Sequence, residues 1–402
     1  MFNKLSLQNF KSARELDVPL KQLTVLSGLN GSGKSTVLQS IGLLRQSLEI
    51  SGKYGDSFSA ELENLHLRGP MVQLGEARDV ISQRASETYI RISLSHEISP
   101  QPWDLSADIS GKEDDYVLGV NSSPGKKILE KNTANDVQNQ LHRIPFQFLQ
   151  ADRLTPKTHY NRNDATHKNF PFLGIGGEYT PDFLTGQGDK LEVSRPRRCP
   201  TSVAGVSEEL MKKITATSRL YDQVSGWMQH LSPGVRLRSS DSERINQTDL
   251  VTLGFSYAST ELAQDSDRRR PANVGFGLTY SLPIVTACLS APTGALLLLE
   301  NPEAHLHPRG QAAMGTLLAK CAGDGVQILV ETHSDHILNG IRLAVKHNTI
   351  KNTAVSLCNF VRDTATGDSY LQNPVILPNG ELSAWPDGFF DEWERSLEEL
   401  LK

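Results

Sequence analysis

The stretch GLNGSGKST, Gly28 to Thr36, constrains the fold of this chain more than any other. It fits the spacing G-x-x-x-x-G-K-[ST], with Gly28, Gly33, Lys34 and Ser35 at the fixed positions. Backbone N–H groups that converge on phosphate oxygens need a tight chain path that glycine permits. A helix that follows such a loop points its positive end at the same anion. Leu23-Thr24-Val25-Leu26 reads as a short buried strand ahead of the loop, and the residues from Ser35 onward are amphipathic. Strand, loop and helix in this order predict a nucleotide site. Asn30, Gly31, Ser32, Gly33 and Thr36 surround the phosphates, Lys34 reaches the β and γ oxygens, and the Ser35 hydroxyl ligates Mg2+.

The 402 residues are long for a single core and predict two or three packed units. Leu5 and Leu7 alternate with polar neighbours in an opening strand. Further strands are expected at YIRISLSHEI, at IPFQFLQ, near residues 250–257 as a return to the core, at LLLLE ending in Glu300, and at QILVE. Helices alternate with the later strands, so the fold class expected is α/β, with a mixed, mainly parallel sheet covered by helices. Residues 111–135 are polar and read as an exposed loop, and residues 155–200 read as an irregular insertion. Leu210, Ile214, Thr217, Tyr221, Val224, Met228 and Leu231 recur at helical spacing and predict one amphipathic helix. The organisation expected is a head made of 1–150 and 234–345, an insertion lobe at 151–233, and a C-terminal extension at 346–402.

A net charge of −5 and a pI near 6.1 argue against a protein that coats nucleic acid through bulk charge. Cys199, Cys288, Cys321 and Cys358 lie far apart with no C-x-x-C pair, which predicts reduced thiols in a cytoplasmic protein. The start MFNKLSLQNFKS has no apolar signal core. Residues 271–299 form an uncharged run, but Pro283, Pro292 and Gly294 break it, so no membrane span is expected.

Taken together with three further stretches, the phosphate loop resembles that of the ABC-type head ATPases of the RecF, SMC and OLD (overcoming lysogenization defect) group. NFKS followed by LTVLSGLNGSGKST looks like the start of that group, and residues 250–340 carry the rest of the likeness. The resemblance implies a P-loop NTPase of ABC/SMC-head type with a helical insertion lobe, and it places Phe10, Lys11 and Ser12 near the nucleotide. NVGFGLTYSLPIV, Asn273 to Val285, stands where the signature motif belongs, although it departs from L-S-G-G-Q. By resemblance its helix start caps the γ-phosphate held by the opposite protomer. Gly275 and Gly277 would allow close approach there, and Asn273 would be a polar contact. His333 in ETHSDH falls at the switch histidine, and AHLHP at the loop that crosses the dimer interface. Gln150 is the first choice for the lid glutamine of the Mg2+ shell, with Gln73 as its competitor. The ending AWPDGFFDEWERSLEELL resembles the tail of a bacterial subset of these ATPases, with Trp385, Phe389 and Phe390 set to dock on the head or on a partner.

Glu300 ends the apolar strand as the Mg2+-side acid, and Asn301 stands where the family carries its water-polarising glutamate. Asn301 can orient a water but cannot take its proton, which moves the base role to Glu303. Slow, dimer-dependent hydrolysis is expected, with ATP sandwiched between two heads of a homodimer or higher homo-oligomer. Histidines 305, 307, 333 and 336, with Glu303 and Asp335, also admit a metal-site reading. About seventy residues follow His333, too few for the nuclease domain of OLD enzymes. The purpose expected is therefore a switch or sensor for a separate effector, a nuclease or toxin in bacterial anti-phage defence. Two alternatives stand beside it. One is a RecF-like DNA clamp, with basic clusters Arg195/Arg197/Arg198 and Arg268/Arg269/Arg270 making the DNA contact, against solvated loop charge as the plainer reading. The other is an ATP-locked scaffold that hardly hydrolyses.

Overall fold

Phe2, Leu5, Leu7 and Phe10 are buried along the opening strand Phe2–Phe10, so one face of it must be covered. The computed structural model describes residues 1–51, 62–122, 131–163, 172–239, 250–257, 269–385 and 392–401. They fall into two compact units. One comprises Met1–Ile144, Thr353–Ile376 and Leu382–Lys402, and the other Pro145–Asn352 and Leu377–Glu381.

In the first unit the strand Phe2–Phe10 lies between Ala13–Pro19 and Tyr89–His96, all antiparallel, and Trp103–Asp108 and Asn121–Ser122 extend the sheet. The strand Leu23–Gly28 pairs in parallel with Val355–Arg362, from Leu23 opposite Val355 to Gly28 opposite Phe360. Ser369–Gln372 returns antiparallel on that second strand. The helix Lys34–Ser51 follows the phosphate loop and buries Val37, Leu38, Ile41, Leu44 and Leu48, the face that its apolar spacing dictates. From this helix Arg45 donates to the main-chain oxygens of His142 (2.6 Å) and Ile144 (3.3 Å), and also to that of Leu141. Those carbonyls lie at the end of the helix Lys131–Arg143, where an α-helix leaves acceptors unpaired.

In the second unit the acidic strand Leu296–Glu300 runs in parallel between Phe146–Leu149 and Gln327–Glu331. Leu296 to Leu299 are at most 1% exposed, as expected for a parallel strand covered on both faces. The helices Pro308–Gly323 and Asp335–Lys346 pack backbone to backbone. A Cβ on Gly315 would lie 2.2 Å from the Ile337 oxygen, and one on Gly340 would lie 2.1 Å from the Ala312 oxygen. Strand–helix alternation, a mainly parallel pairing scheme and a glycine loop between strand and helix are the α/β architecture of a P-loop NTPase.

Four local expectations change. The single amphipathic helix is two helices, Glu208–Ile214 and Leu220–Leu231. Between them the Thr215 and Thr217 hydroxyls bond to the Met211 carbonyl and to Asp222, a local alternative that competes with continuing the helix. The polar stretch 111–135 contains the strands Val117–Gly119 and Asn121–Ser122 and the start of the helix at Lys131. The insertion 155–200 carries the helix Thr180–Gln187, with Pro181 in its first turn. Val251, Leu253 and Phe255 are buried as core residues, but Leu253–Tyr257 pairs with Val235–Ser239 in a two-stranded ribbon rather than in a larger sheet among the described residues. No helix among the described residues is long and apolar enough to cross a membrane.

Candidate nucleotide site

Where the strand Leu23–Gly28 ends, the chain takes a path reserved for glycine. Gly28, Gly31 and Gly33 have φ of 130°, 73° and 103°, in the region L side chains avoid. A Cβ at Gly28 would sit 2.3 Å from the Phe360 oxygen, and one at Gly33 would sit 2.6 Å from the Ser12 hydroxyl and 2.7 Å from that of Ser369. The neighbouring strand end and the hairpin turn thus brace the loop from outside. The Lys34 ammonium, buried, donates to the main-chain oxygens of Gly28 (2.9 Å) and Leu29 (2.8 Å) across the loop. Asn30 and Gly31 are exposed at the loop apex, Ser35 is half-buried, and Thr36 is buried with its N–H on the Gly33 oxygen. Ser32 Oγ is buried without a hydrogen-bond partner among the described residues. A glycine cradle with a lysine folded over it and an unsatisfied hydroxyl fits a triphosphate.

The two-residue turn after the first strand places Lys11 in a left-handed conformation (φ 56°), with Nζ 2.6 Å from Gln39 Oε1 on the loop's own helix. Lys11 and Ser12 therefore join the phosphate loop in one cluster. A cavity of about 430 Å3 flanks the loop, lined among others by Leu29, Asn30, Ser32, Phe360 and Arg362. Arg362 donates to the Gly31 oxygen at 3.2 Å and so ties the turn after Val355–Arg362 to the loop apex.

The second unit gathers the acidic residues. Glu300 lies opposite Glu331 at the carboxyl ends of adjacent parallel strands, and one Glu300 oxygen accepts from the Ala151 N–H at 2.9 Å. Asn301 turns the chain with φ 43° and donates its N–H to the Glu331 oxygen. The carboxylate of Glu303 accepts from Thr332 Oγ1 and from the His333 N–H, both at 2.8 Å, and from Asn301 Nδ2 at 3.4 Å. Glu303 is thereby a staple between the acidic turn and the segment Thr332–His333. The His333 side chain is exposed, and Ser334 caps the next helix by accepting from the Ile337 N–H. Gln150, half-buried, lies just past the strand Phe146–Leu149, its N–H on the Ile175 oxygen. Gln73 is exposed in the first unit and donates to the Gly69 oxygen.

The helix Phe276–Ser290 is capped by Gly275, two residues beyond Asn273, which closes a 3-10 turn. Asn273, Gly275 and Phe276 are exposed, so this helix start faces solvent with no side-chain cap. Gly277 lies against the chain at His305, where a Cβ would be 2.3 Å from the carbonyl oxygen. His305, itself left-handed at φ 60°, packs its ring on Tyr280 (4.8 Å) and Phe276 (5.9 Å).

Two further histidines of the metal reading are engaged one at a time. His307 caps the helix Pro308–Gly323 by accepting from the Arg309 N–H, and His336 faces Asp335 at 3.7 Å. No group of three or more His, Cys, Asp or Glu among the described residues is arranged to hold a metal ion. The first basic cluster is also not free charge, since Arg197 is buried, bonds Asp324 at 2.7 Å, and caps the Cys288 carbonyl at a helix end. Arg195, Arg198, Arg269 and Arg270 are exposed, and Arg268 lies outside the described residues, as do Phe389 and Phe390. Trp385 is 50% exposed.

One central residue was passed over in the sequence. Arg153 is 3% exposed and donates to the main-chain oxygens of Gln150 (2.9 Å), Tyr280 (3.2 Å), Asn301 (2.5 Å) and Glu300. Burial pulls its guanidinium down to about 10, while Glu303 and Glu300 hold it up. Its signal was a lone basic residue just past a core strand.

The AAA-domain family described as "AAA domain, putative AbiEii toxin, Type IV TA system" matches residues 23–339. The chain belongs to this AAA-domain family. In this AAA-domain protein a further family, a protein of unknown function designated DUF3696, matches residues 350–400. No curated protein matches. Among solved structures, an Smc head bound to the C-winged helix domain of ScpA is 14% identical, covers 93% of this chain and 98% of its own, and superimposes with a TM-score of 0.48. An SMC head domain from Thermotoga maritima is 13% identical over 92% of this chain and 98% of its own, with a TM-score of 0.42. An Smc head with an extended coiled coil, bound to the C-terminal domain of ScpA derived from Pyrococcus furiosus, is 13% identical over 100% and 99% with a TM-score of 0.48. At these values they lend no residue role to the AAA-domain protein.

Proposed function

We propose that this chain is a slow ATP hydrolase of the ABC/SMC type, active as a homodimer or higher homo-oligomer with ATP held between heads. The observation that carries the reading is the formed phosphate loop, with Lys34 folded over a glycine cradle. Bound MgATP supplies the scissile phosphoanhydride and the metal charge. Lys34 neutralises the β and γ oxygens and Ser35 faces the metal, with Gln150 or Gln73 as the lid ligand. Glu300 is the metal-side acid, Asn301 orients the attacking water, Glu303 receives its proton, and the His333 imidazole meets the γ-phosphate. The uncapped, exposed helix start at Gly275–Phe276 supports a role toward an anion on another copy of the chain. Phosphate release per protomer should rise with protein concentration. A rate strictly proportional to protein overturns the dimer requirement, and release no greater than from Lys34→Ala overturns hydrolysis.

For purpose, the reading is a cytoplasmic switch that acts on a separate effector, a nuclease or toxin in bacterial defence. The family's description as a putative toxin of a Type IV TA system supports a toxin-linked role, and four buried free thiols agree with a reducing compartment. A second reading, the ATP-locked scaffold, is favoured by the Glu303 carboxylate itself, whose oxygens already accept three hydrogen bonds. Equal dimer lifetimes with ATP and with a non-hydrolysable analogue would select it. The DNA clamp loses support, because Arg197 is committed to Asp324.

A further inference from the structure

One guanidinium in the second unit reaches three segments on which the proposed hydrolysis depends. Nη1 of Arg153 bonds the oxygens of Gln150, in the lid segment, and Glu300, at the end of the acidic strand. Nη2 bonds that of Asn301, and Nε that of Tyr280 in the helix Phe276–Ser290, whose ring also lies 5.7 Å from the guanidinium carbon. Four of five N–H donors therefore go to main-chain acceptors, and none to a carboxylate among the described residues. A buried charge spent on carbonyls is costly, so its fork geometry is what the site retains. Tyr280 is one turn from the exposed helix start and packs on His305, while Asn301 is the left-handed residue that aims the acidic turn.

We infer that Arg153 is a positioning residue that fixes the lid segment, the acidic turn and the glycine-capped helix in one mutual register, coupling a contact at that helix start to the placement of Glu300 and Glu303. The inference rests on the ATPase reading above. A lysine keeps the charge, but its donors converge on one nitrogen and cannot span carbonyls on three segments.

The test uses the full chain as Arg153→Ala and Arg153→Lys, with Arg197→Lys as a variant of a buried arginine in the same unit outside the site. The KM for ATP should stay within about threefold while kcat falls at least about tenfold, with the lysine variant between alanine and wild type. Arg197→Lys should lower the melting temperature and leave kcat of the folded protein unchanged. Without nucleotide, hydrogen exchange should quicken together in residues 276–282 and 300–306 of Arg153→Lys, and not in residues 34–48. Wild-type kcat in a folded Arg153 variant overturns the inference, and so does exchange that loosens in only one of the two segments. Should the alanine variant not fold, the lysine variant carries both measurements. If the wild-type chain neither binds nor hydrolyses ATP, the proposed function falls, and the exchange measurement still decides the register.

Discussion

Replacing Glu303 with glutamine separates two roles that the structure gives one carboxylate. Its oxygens accept from Thr332 and the His333 N–H at 2.8 Å, and a hydrogen bond to a charged group contributes about 1.5–3 kcal/mol. Glutamine can offer its oxygen to the His333 N–H and its NH2 to the Thr332 hydroxyl, which accepts as well as donates, so the two contacts persist but lose the charge that strengthens them. The second unit should lose about 1.5–3 kcal/mol, read by denaturant titration of wild type and Glu303→Gln side by side. If Glu303 also takes the proton of the attacking water, phosphate release at saturating MgATP should fall about a hundred- to ten-thousandfold, with KM little changed. A stability loss with an undiminished rate leaves Glu303 as a staple and refutes its role as base. An undiminished stability refutes the hydrogen-bond reasoning as well.

Three further outcomes can be checked. Lys34→Ala removes the cation that spans the phosphate loop and should abolish binding of a fluorescent ATP analogue; retained affinity would contradict the site. Burial beside Trp227, then Arg309 and Lys320, pushes His230 down to about 4, below its ordinary 6.5. The unfolded chain therefore takes up the proton first, and stability present above pH 6.5 is lost as pH falls toward 4. At about 1.4 kcal/mol per pH unit the loss approaches roughly 3 kcal/mol, which His230→Phe should remove from a pH series of melting temperatures. Gly340→Ala would set a Cβ 2.1 Å from the Ala312 oxygen and should cost about 1–3 kcal/mol, visible as a lower denaturant midpoint; an unchanged midpoint refutes the close packing.

The phosphate loop was legible because its chemistry is local. Three glycines, a lysine and a following helix must be neighbours in sequence to be neighbours in space, and the apolar run 296–299 announced a strand covered on both faces. Arg153 was not legible, because its partners are main-chain carbonyls at residues 150, 280, 300 and 301, and no side-chain identity at those positions records them. The break between the helices at Glu208–Ile214 and Leu220–Leu231 was hidden for a related reason. The apolar spacing carries through 215–219, while the threonine hydroxyls that interrupt it act on the backbone. The basic cluster at 195–198 was legible only in part, since charge in the sequence does not say that Asp324 has already claimed Arg197 while Arg195 and Arg198 stay exposed.

The acidic strand lies between two parallel partners with Leu296 to Leu299 sealed from solvent, so it offers selection almost nothing to adjust. A substitution there trades away the core before it alters timing. Variation in turnover among related chains should therefore collect in residues 301–307 and 150–153, where the backbone leaves the sheet. Those two short loops are the place to set the clock of the proposed hydrolysis while leaving its frame intact.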